Sequence, residues 1–370
     1  MSRSIDQEVF GFFTRNLLKW YYAHGRDLPW RRTADPYAIW ISEIMLQQTQ
    51  VATVLPYYER FLSSFPTVRD LAAAPLDKVL KAWEGLGYYA RARHLHRAAN
   101  EIVTRFGGDF PSRFEAILSL PGIGRSTAGA IATIAFGLRY PILDGNVKRV
   151  LCRYFCVEED PKKKEIEEQL WRYSEKLLPR KEAEDYTQAI MDLGATLCIP
   201  VEPRCTLCPV RKKCKAFQKG VQEDLPVKSV GKRIPERDYV AGVLFRGEKV
   251  LIRRRPAKGL LGGLWEFPGG SVDLEKGGRG LDKKLRGVLR KEIPWIVNQW
   301  APLGKIKHIF THFKMTLHVF SGHVENRQGK NSDEQKWVAL EELSNYAFPS
   351  AHQKIVSKLK QPDRQQRLFS

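Results

Sequence analysis

The chain has 370 residues, 43% hydrophobic, 28% charged and 11% aromatic, a composition that excludes a disordered or collagen-like protein and is long enough for two domains. Basic residues outnumber acidic ones 61 to 41, with 34 against 27 up to Val230 and 27 against 14 beyond it, so both halves attract polyanions and nucleic acid leads the partner classes. No 18-residue apolar run is present and Met1 to Glu8 carry neither the apolar stretch nor the cleavage site of an export signal, which excludes a membrane-spanning helix and makes the cytoplasm the expected location.

Through the first 220 residues apolar positions recur at spacings of three and four between Pro, Gly and Asp-Pro interruptions, which predicts helix after helix and no strand of consequence. Glu43 lies inside the apolar stretch Ile39 to Leu46, where a carboxyl group loses water and holds its proton toward neutrality, the condition for a general acid. The alternative is a Glu on the wet edge of a helix. Ser112 with Glu115 reads as a capping box. Leu120-Pro121-Gly122-Ile123-Gly124 then breaks the chain before a small-residue helix from Thr127 to Phe136. Glycines there let a backbone approach closely, and the free N–H groups of the second helix suit a phosphate. Asp144 precedes a helix expected near Val147 and reads first as its cap.

Cys198, Cys205, Cys208 and Cys214 follow the pattern C-x6-C-x2-C-x5-C. Structural zinc usually takes two short paired knuckles, so this spacing favours an iron-sulfur cluster while leaving zinc open. Arg204, Arg211, Lys212, Lys213 and Lys215 stud the loop and give it cations to offer phosphates. Cys152 and Cys156, one helical turn apart, read as core. Residues 222–238 are polar and proline-punctuated, which marks a connector. Beyond them Val240 to Phe245, Val250 to Ile252 and Met315 to Phe320 read as strands, with helical pieces at 281–291 and 350–360 and a frayed tail from Gln361.

The Leu120 to Gly124 hairpin, an Asp twenty residues after Gly124 and the four-cysteine pattern, in this order, resemble the helix-hairpin-helix DNA glycosylases. Met45 to Gln50, Gly85 to Ala92 and Asp144 to Val147 narrow the resemblance to the adenine glycosylase (MutY) family. The resemblance implies a multi-domain chain. An all-α helix-hairpin-helix glycosylase domain at 1–221, with a 4Fe-4S cluster on Cys198, Cys205, Cys208 and Cys214, would be followed by a linker at 222–238. A C-terminal α/β Nudix-like domain at 239–360 and a flexible tail at 361–370 would complete it.

It also implies base excision repair by a monomer acting on duplex DNA that carries adenine opposite 8-oxoguanine or guanine. Glu43 would protonate the flipped adenine, Asp144 would stabilise the cationic sugar and Asn146 would orient water or that carboxylate. Arg26, Trp30, Arg31, Leu46 and Gln188 would shape the adenine pocket. Gln48, Thr49, Leu86 and Tyr88 would contact or wedge into the opposite strand, and Gly122, Gly124 and Ser126 would grip the backbone.

Ser126 stands where the related lyases carry a Schiff-base Lys, so the resemblance implies a monofunctional hydrolase. In the C-terminal half, Trp265 to Gly270 resembles a Nudix turn and Glu275 falls in place, but Lys283, Lys284, Gly287 and Val288 stand where Arg-Glu and Glu-Glu would. Magnesium therefore lacks its oxygens, and recognition rather than pyrophosphate hydrolysis is expected. Phe310, Thr311 and His312 match a Phe-Ser-His loop that touches the oxidised guanine, with Thr311 keeping the hydroxyl. The rival readings are a glycosylase-lyase, disfavoured by Ser126, and a DNA-binding protein without chemistry.

Overall fold

The computed structural model describes residues 2–227, 234–273, 283–284, 286–288, 297–324 and 334–361. Glu275, most of the helical piece expected at 281–291 and the expected tail after Gln361 lie outside them. The chain forms two compact units, Met1–Ala73 with His94–Gly231, and Ala74–Arg93 with Lys232–Ser370. Among the described residues no helix is long and apolar enough to cross a membrane.

The first unit is helical, with no strand among its described residues: α1 (Ser2–His24), α2 (Pro36–Leu46), α3 (Val51–Ser64), α4 (Val68–Ala73), most of α6 (Ala90–Phe106), α7 (Phe114–Leu118), α8 (Arg125–Phe136), α9 (Gly145–Phe155), α10 (Lys164–Leu177), α11 (Ala183–Asp192) and α12 (Lys215–Lys219). Its core joins Phe13 and Leu17 of α1 to Val150, Leu151 and Tyr154 of α9, Leu170 of α10 and Ile190 of α11. Helix α7 begins at Phe114 with Arg113 as its cap and no side-chain cap bond. The expected capping box on Ser112 is therefore corrected: Arg113, not Ser112, accepts the first helical bond, from Ile117 N–H, so the hydroxyl stands one residue too early.

Gly122 has φ +80°, and a Cβ there would stand 2.6 Å from that of His94, so the hairpin needs glycine. Helix α8 then holds the stretch before Asp144 with one face. Ser126 Oγ accepts from Leu143 N–H at 2.9 Å, the Gly129 backbone lies so close that a Cβ would sit 2.5 Å from the Pro141 carbonyl oxygen, and Thr133 Oγ1 donates to the Tyr140 carbonyl at 3.0 Å. Spacings of three and four put these positions on one side of the helix. From α10, Ser174 Oγ donates to the Ile142 carbonyl at 2.6 Å.

The second unit contains a seven-stranded sheet: β1 (Glu236–Arg246), β2 (Lys249–Arg254), β3 (Trp265–Glu266), β4 (Gly269–Val272), β5 (Val297–Ile309), β6 (Lys314–Val324) and β7 (Gln335–Ala339). The path runs β3-β2-β1-β6-β5, with β4 beside β1, β7 beside β2, and β1 parallel to β6. Side chains alternate between two cores. Ala241, Val243 and Phe245 pack with Ile355 and Leu359 of α13 (Ser350–Leu359), whereas Val240 and Leu244 pack with Phe320 and Trp337. Both faces of the sheet are thus buried. The connector ends earlier than expected, because β1 starts at Glu236. Strand β5 escapes the sequence reading because two register shifts, the second between Pro302 and Gly304, break its alternation.

Residues 74–93, placed by sequence in the first domain, count with the second unit. Helix α5 (Leu76–Ala82) and the loop after it are held by an Asp77–Arg254 ion pair. Glu84 Oε1 accepts from Phe348 N–H at 2.8 Å, Tyr89 OH donates to the Phe348 carbonyl at 3.3 Å, and Arg93 donates to the Gly262 carbonyl at 2.8 Å.

Gly129→Ala is expected to destabilise the protein by about 1–3 kcal/mol, the usual cost of overpacking against backbone. Chemical unfolding of the two proteins measures it, and equal midpoints would show that the 140–143 segment yields freely.

Candidate active site

One open cleft in the first unit is lined by Glu43, Asp144, Asn146, Arg26, Trp30, Arg31, Leu46, Gln48, Thr49, Ser126 and Gln188. Helix α2 presents Glu43 because its other residues are apolar on nearly every side: Ile39, Trp40, Ile41, Ile44 and Met45 are all buried. Asp35 caps that helix through Tyr37 and Ala38 N–H, and Pro36 opens it. The Glu43 carboxyl opens only partly into the cleft. Burial pushes it up to about 7, with Asp144 adding to the rise and Arg31 opposing it.

Asp144 caps α9, its Oδ1 accepting from Val147 N–H at 2.8 Å. Burial raises its pKa, and the Val147 N–H, Arg149 and Asn146 work against that rise. The Asn146 amide lies 3.4 Å from Asp144 Oδ2 and accepts from Arg149 at 2.8 Å. Arg149 also donates to the carbonyls of Gly194 and Cys198, both at 2.7 Å. A carboxyl poised to give a proton and a second one supplied with donors that favour its anion therefore share one cleft.

Sequence reasoning missed the group that arranges the pocket's cations. Asp192, fully buried at the end of α11, accepts from Arg26 Nε and Arg31 at 2.7 Å and from a second Arg31 nitrogen at 2.8 Å. Burial works to raise its pKa, but these guanidiniums hold it below the usual carboxylate range. The signal was the one that exposed Glu43, a carboxylate within an apolar run, here Ala189 to Leu193. Tyr21 was missed too; its hydroxyl donates to Gln188 Oε1 at 3.0 Å.

The remaining expected residues fall in three places. Gly122 and Gly124 lie in the turn before α8, while the Ser126 hydroxyl is engaged by Leu143 N–H. In the second unit Tyr88 is 48% exposed with φ +47°, whereas Leu86 is buried at 5% and does not project as a wedge. Phe310, Thr311 and His312 form the turn between β5 and β6, closed by Phe310 N–H on the Phe313 carbonyl at 2.9 Å. There the Thr311 and Tyr88 hydroxyls lie 3.0 Å apart.

The four cysteines line a separate small pocket in the first unit, together with Arg153, Tyr154 and Val210. Among the described residues no three His, Cys, Asp or Glu side chains are arranged to hold a single metal ion.

The model of the HhH-GPD superfamily of base excision DNA repair proteins matches residues 41–176, and that of the NUDIX domain matches 240–358. A solved thermostable thymine-DNA glycosylase is 30% identical with a TM-score of 0.53, covering 59% of this chain and all of that one. An endonuclease III–DNA complex, 21% identical at TM-score 0.51, covers 58% of this chain and 98% of its own and shares the helical fold. The protein is thus a helix-hairpin-helix base excision repair glycosylase with a Nudix-type C-terminal domain.

Adenine DNA glycosylases of Rattus norvegicus and Homo sapiens are each 36% identical over 93% of this chain, covering 77% and 73% of their own lengths. That of Buchnera aphidicola from Acyrthosiphon pisum is 34% identical over 94% of this chain and 97% of its own. The chain belongs to the adenine DNA glycosylase family.

Replacing Asp192 with Asn strands two guanidiniums beside a neutral group, and a loss of about 3–5 kcal/mol of stability is expected. Thermal unfolding reads it; a variant as stable as the parent would mean that Arg26 and Arg31 do not depend on Asp192.

Proposed function

We propose that the chain hydrolyses the N-glycosidic bond of adenine opposite 8-oxoguanine or guanine in duplex DNA. The observation that carries this reading is the pairing in one cleft of Glu43, titrating near 7, with Asp144, which is supplied with donors for its anion. Adenine, flipped out of the duplex, enters the cleft against Arg26, Trp30, Arg31, Leu46 and Gln188. Glu43 gives its proton to N7 as the bond to the sugar breaks, so the base leaves neutral. The sugar becomes cationic and Asp144 stabilises it, while Asn146 orients the carboxylate or the water that completes hydrolysis. The hydroxyl of Ser126 offers no amine for a Schiff base, so the strand is left uncut.

Four cysteines lining one pocket at the spacing C-x6-C-x2-C-x5-C suit a 4Fe-4S cluster held by Cys198, Cys205, Cys208 and Cys214. When bound, that group supplies structural cross-linking. Arg204, Arg211, Lys212, Lys213 and Lys215 offer the loop's charge to phosphates. In the second unit, Tyr88 and Thr311, with Phe310 and His312, read the base opposite adenine, and Gln48 and Thr49 contact the same strand from the cleft.

Base release should fall as pH rises through about 7, because the active form of Glu43 is the protonated one, and should fall again at low pH as Asp144 takes up a proton. Single-turnover rates across pH check this; a rate unchanged from pH 6 to 9 would remove Glu43 as the acid. Glu43→Gln and Asp144→Asn are expected to bind the duplex as the parent does while losing roughly 10²–10⁴-fold in release. If both variants released adenine at the parental rate, the proposed chemistry would fail. Thr311→Ala should narrow the preference for 8-oxoguanine over guanine opposite adenine, and unchanged discrimination would take Thr311 out of the reading site.

A further inference from the structure

Arg153 is among the most completely buried large side chains of the protein, with 2% of its surface exposed, and nothing in the mechanism above uses it. A buried guanidinium normally faces a carboxylate, since stripping water from the charge is costly. Arg153 faces none among the described residues. Its Nε donates to the Leu225 carbonyl at 2.9 Å, and its terminal nitrogens donate to the carbonyls of Ile199 at 2.6 Å and Pro200 at 3.2 Å. The remaining contact is Cys198 Sγ at 3.4 Å from the nitrogen that also meets Ile199. Its own carbonyl lies 3.5 Å from Cys214 Sγ, and its side chain lines the cysteine cavity.

Carbonyl dipoles solvate a cation but leave its charge uncancelled. We infer that Arg153 is the built-in counter-charge of the cysteine cavity, a fixed cation that offsets the negative charge of a thiolate-held cluster and resists its oxidative loss. This rests on the cluster reading given above. The chemistry follows from the charge balance of the site. A cluster held by four thiolates carries net negative charge, a neighbouring cation makes electron removal harder, and a hydrogen bond to the sulfur acts in the same sense. The fork geometry adds a second task. One guanidinium ties the Cys198 to Pro200 turn to Leu225, so the first cysteine and the chain beyond the last are clamped by the same side chain.

The test separates charge from clamping. The full-length protein, Arg153→Lys and Arg153→Gln are purified without oxygen, assayed for iron and acid-labile sulfide, and exposed to ferricyanide while visible absorption is followed. Lys keeps the charge with a poorer fork, and Gln keeps donors without charge. Arg153→Gln is expected to bleach faster than the parent by about 10-fold or more, by analogy with the 10- to 100-fold effect of such outer groups on metal affinity, with Arg153→Lys close to the parent. Equal bleaching of Lys and Gln variants, or of Gln variant and parent, would overturn the counter-charge. Circular dichroism before oxidation keeps a folding defect from passing as either result. A parent protein that purifies with zinc or without iron would instead sink the cluster reading, and the inference with it.

Discussion

The seam between α8 and the extended segment at 140–143 is the constraint on which the glycosylase unit depends. Ser126, Gly129 and Thr133 present a hydroxyl, a bare backbone and a second hydroxyl along one helix face, and the segment lies against them residue by residue. Because Leu143 is held by its own N–H, the next residue, Asp144, has little freedom before α9 starts. Its side chain is then committed twice, as helix cap and as a carboxylate in the cleft. The hairpin that opens α8 and the carboxylate at the end of the seam are therefore one mechanical unit. A side chain with a Cβ at position 129 would press on the segment before Asp144 from outside the cleft.

Around that seam the interior handles charge in an unusual way. Burial pushes Glu43 up to about 7, two arginines keep Asp192 anionic, and burial raises Asp144 against the pull of its backbone and amide donors. Three carboxyl groups within one unit are thus each tuned by their own neighbours. The arginines are divided likewise. Arg26 and Arg31 are fixed by a carboxylate, Arg149 by Asn146 and two carbonyls, and Arg153 by carbonyls and one sulfur.

Much of this was legible in the residues themselves, because burial and local geometry leave marks on a linear pattern. Glu43 announced itself through the apolar run around it, Asp144 through its place before a helix, and the cysteines through spacing. Gly122 was readable through the Pro-Gly break between two helices, and the structure adds that a Cβ there would meet His94. What was not legible depends on partners far along the chain. Nothing in residues 74–93 shows that Phe348 and Arg254 will hold them. Ser126 looked like a backbone contact and turned out to bind Leu143, since a hydroxyl carries no sign of which N–H it will meet. Asp192 bore the same mark as Glu43 and was passed over, while β5 lost its alternation to bulges that sequence does not display.

The central claim is that two unlike carboxyl groups release adenine by hydrolysis and leave the strand whole. The most direct measurement is a single-turnover incubation of the purified protein with a duplex carrying adenine opposite 8-oxoguanine, assayed for free adenine before alkali and for strand breaks before and after it. Free adenine with an intact strand that breaks only on alkaline treatment is the predicted result. Direct nicking without alkali, or tight binding with no adenine released, would contradict the account.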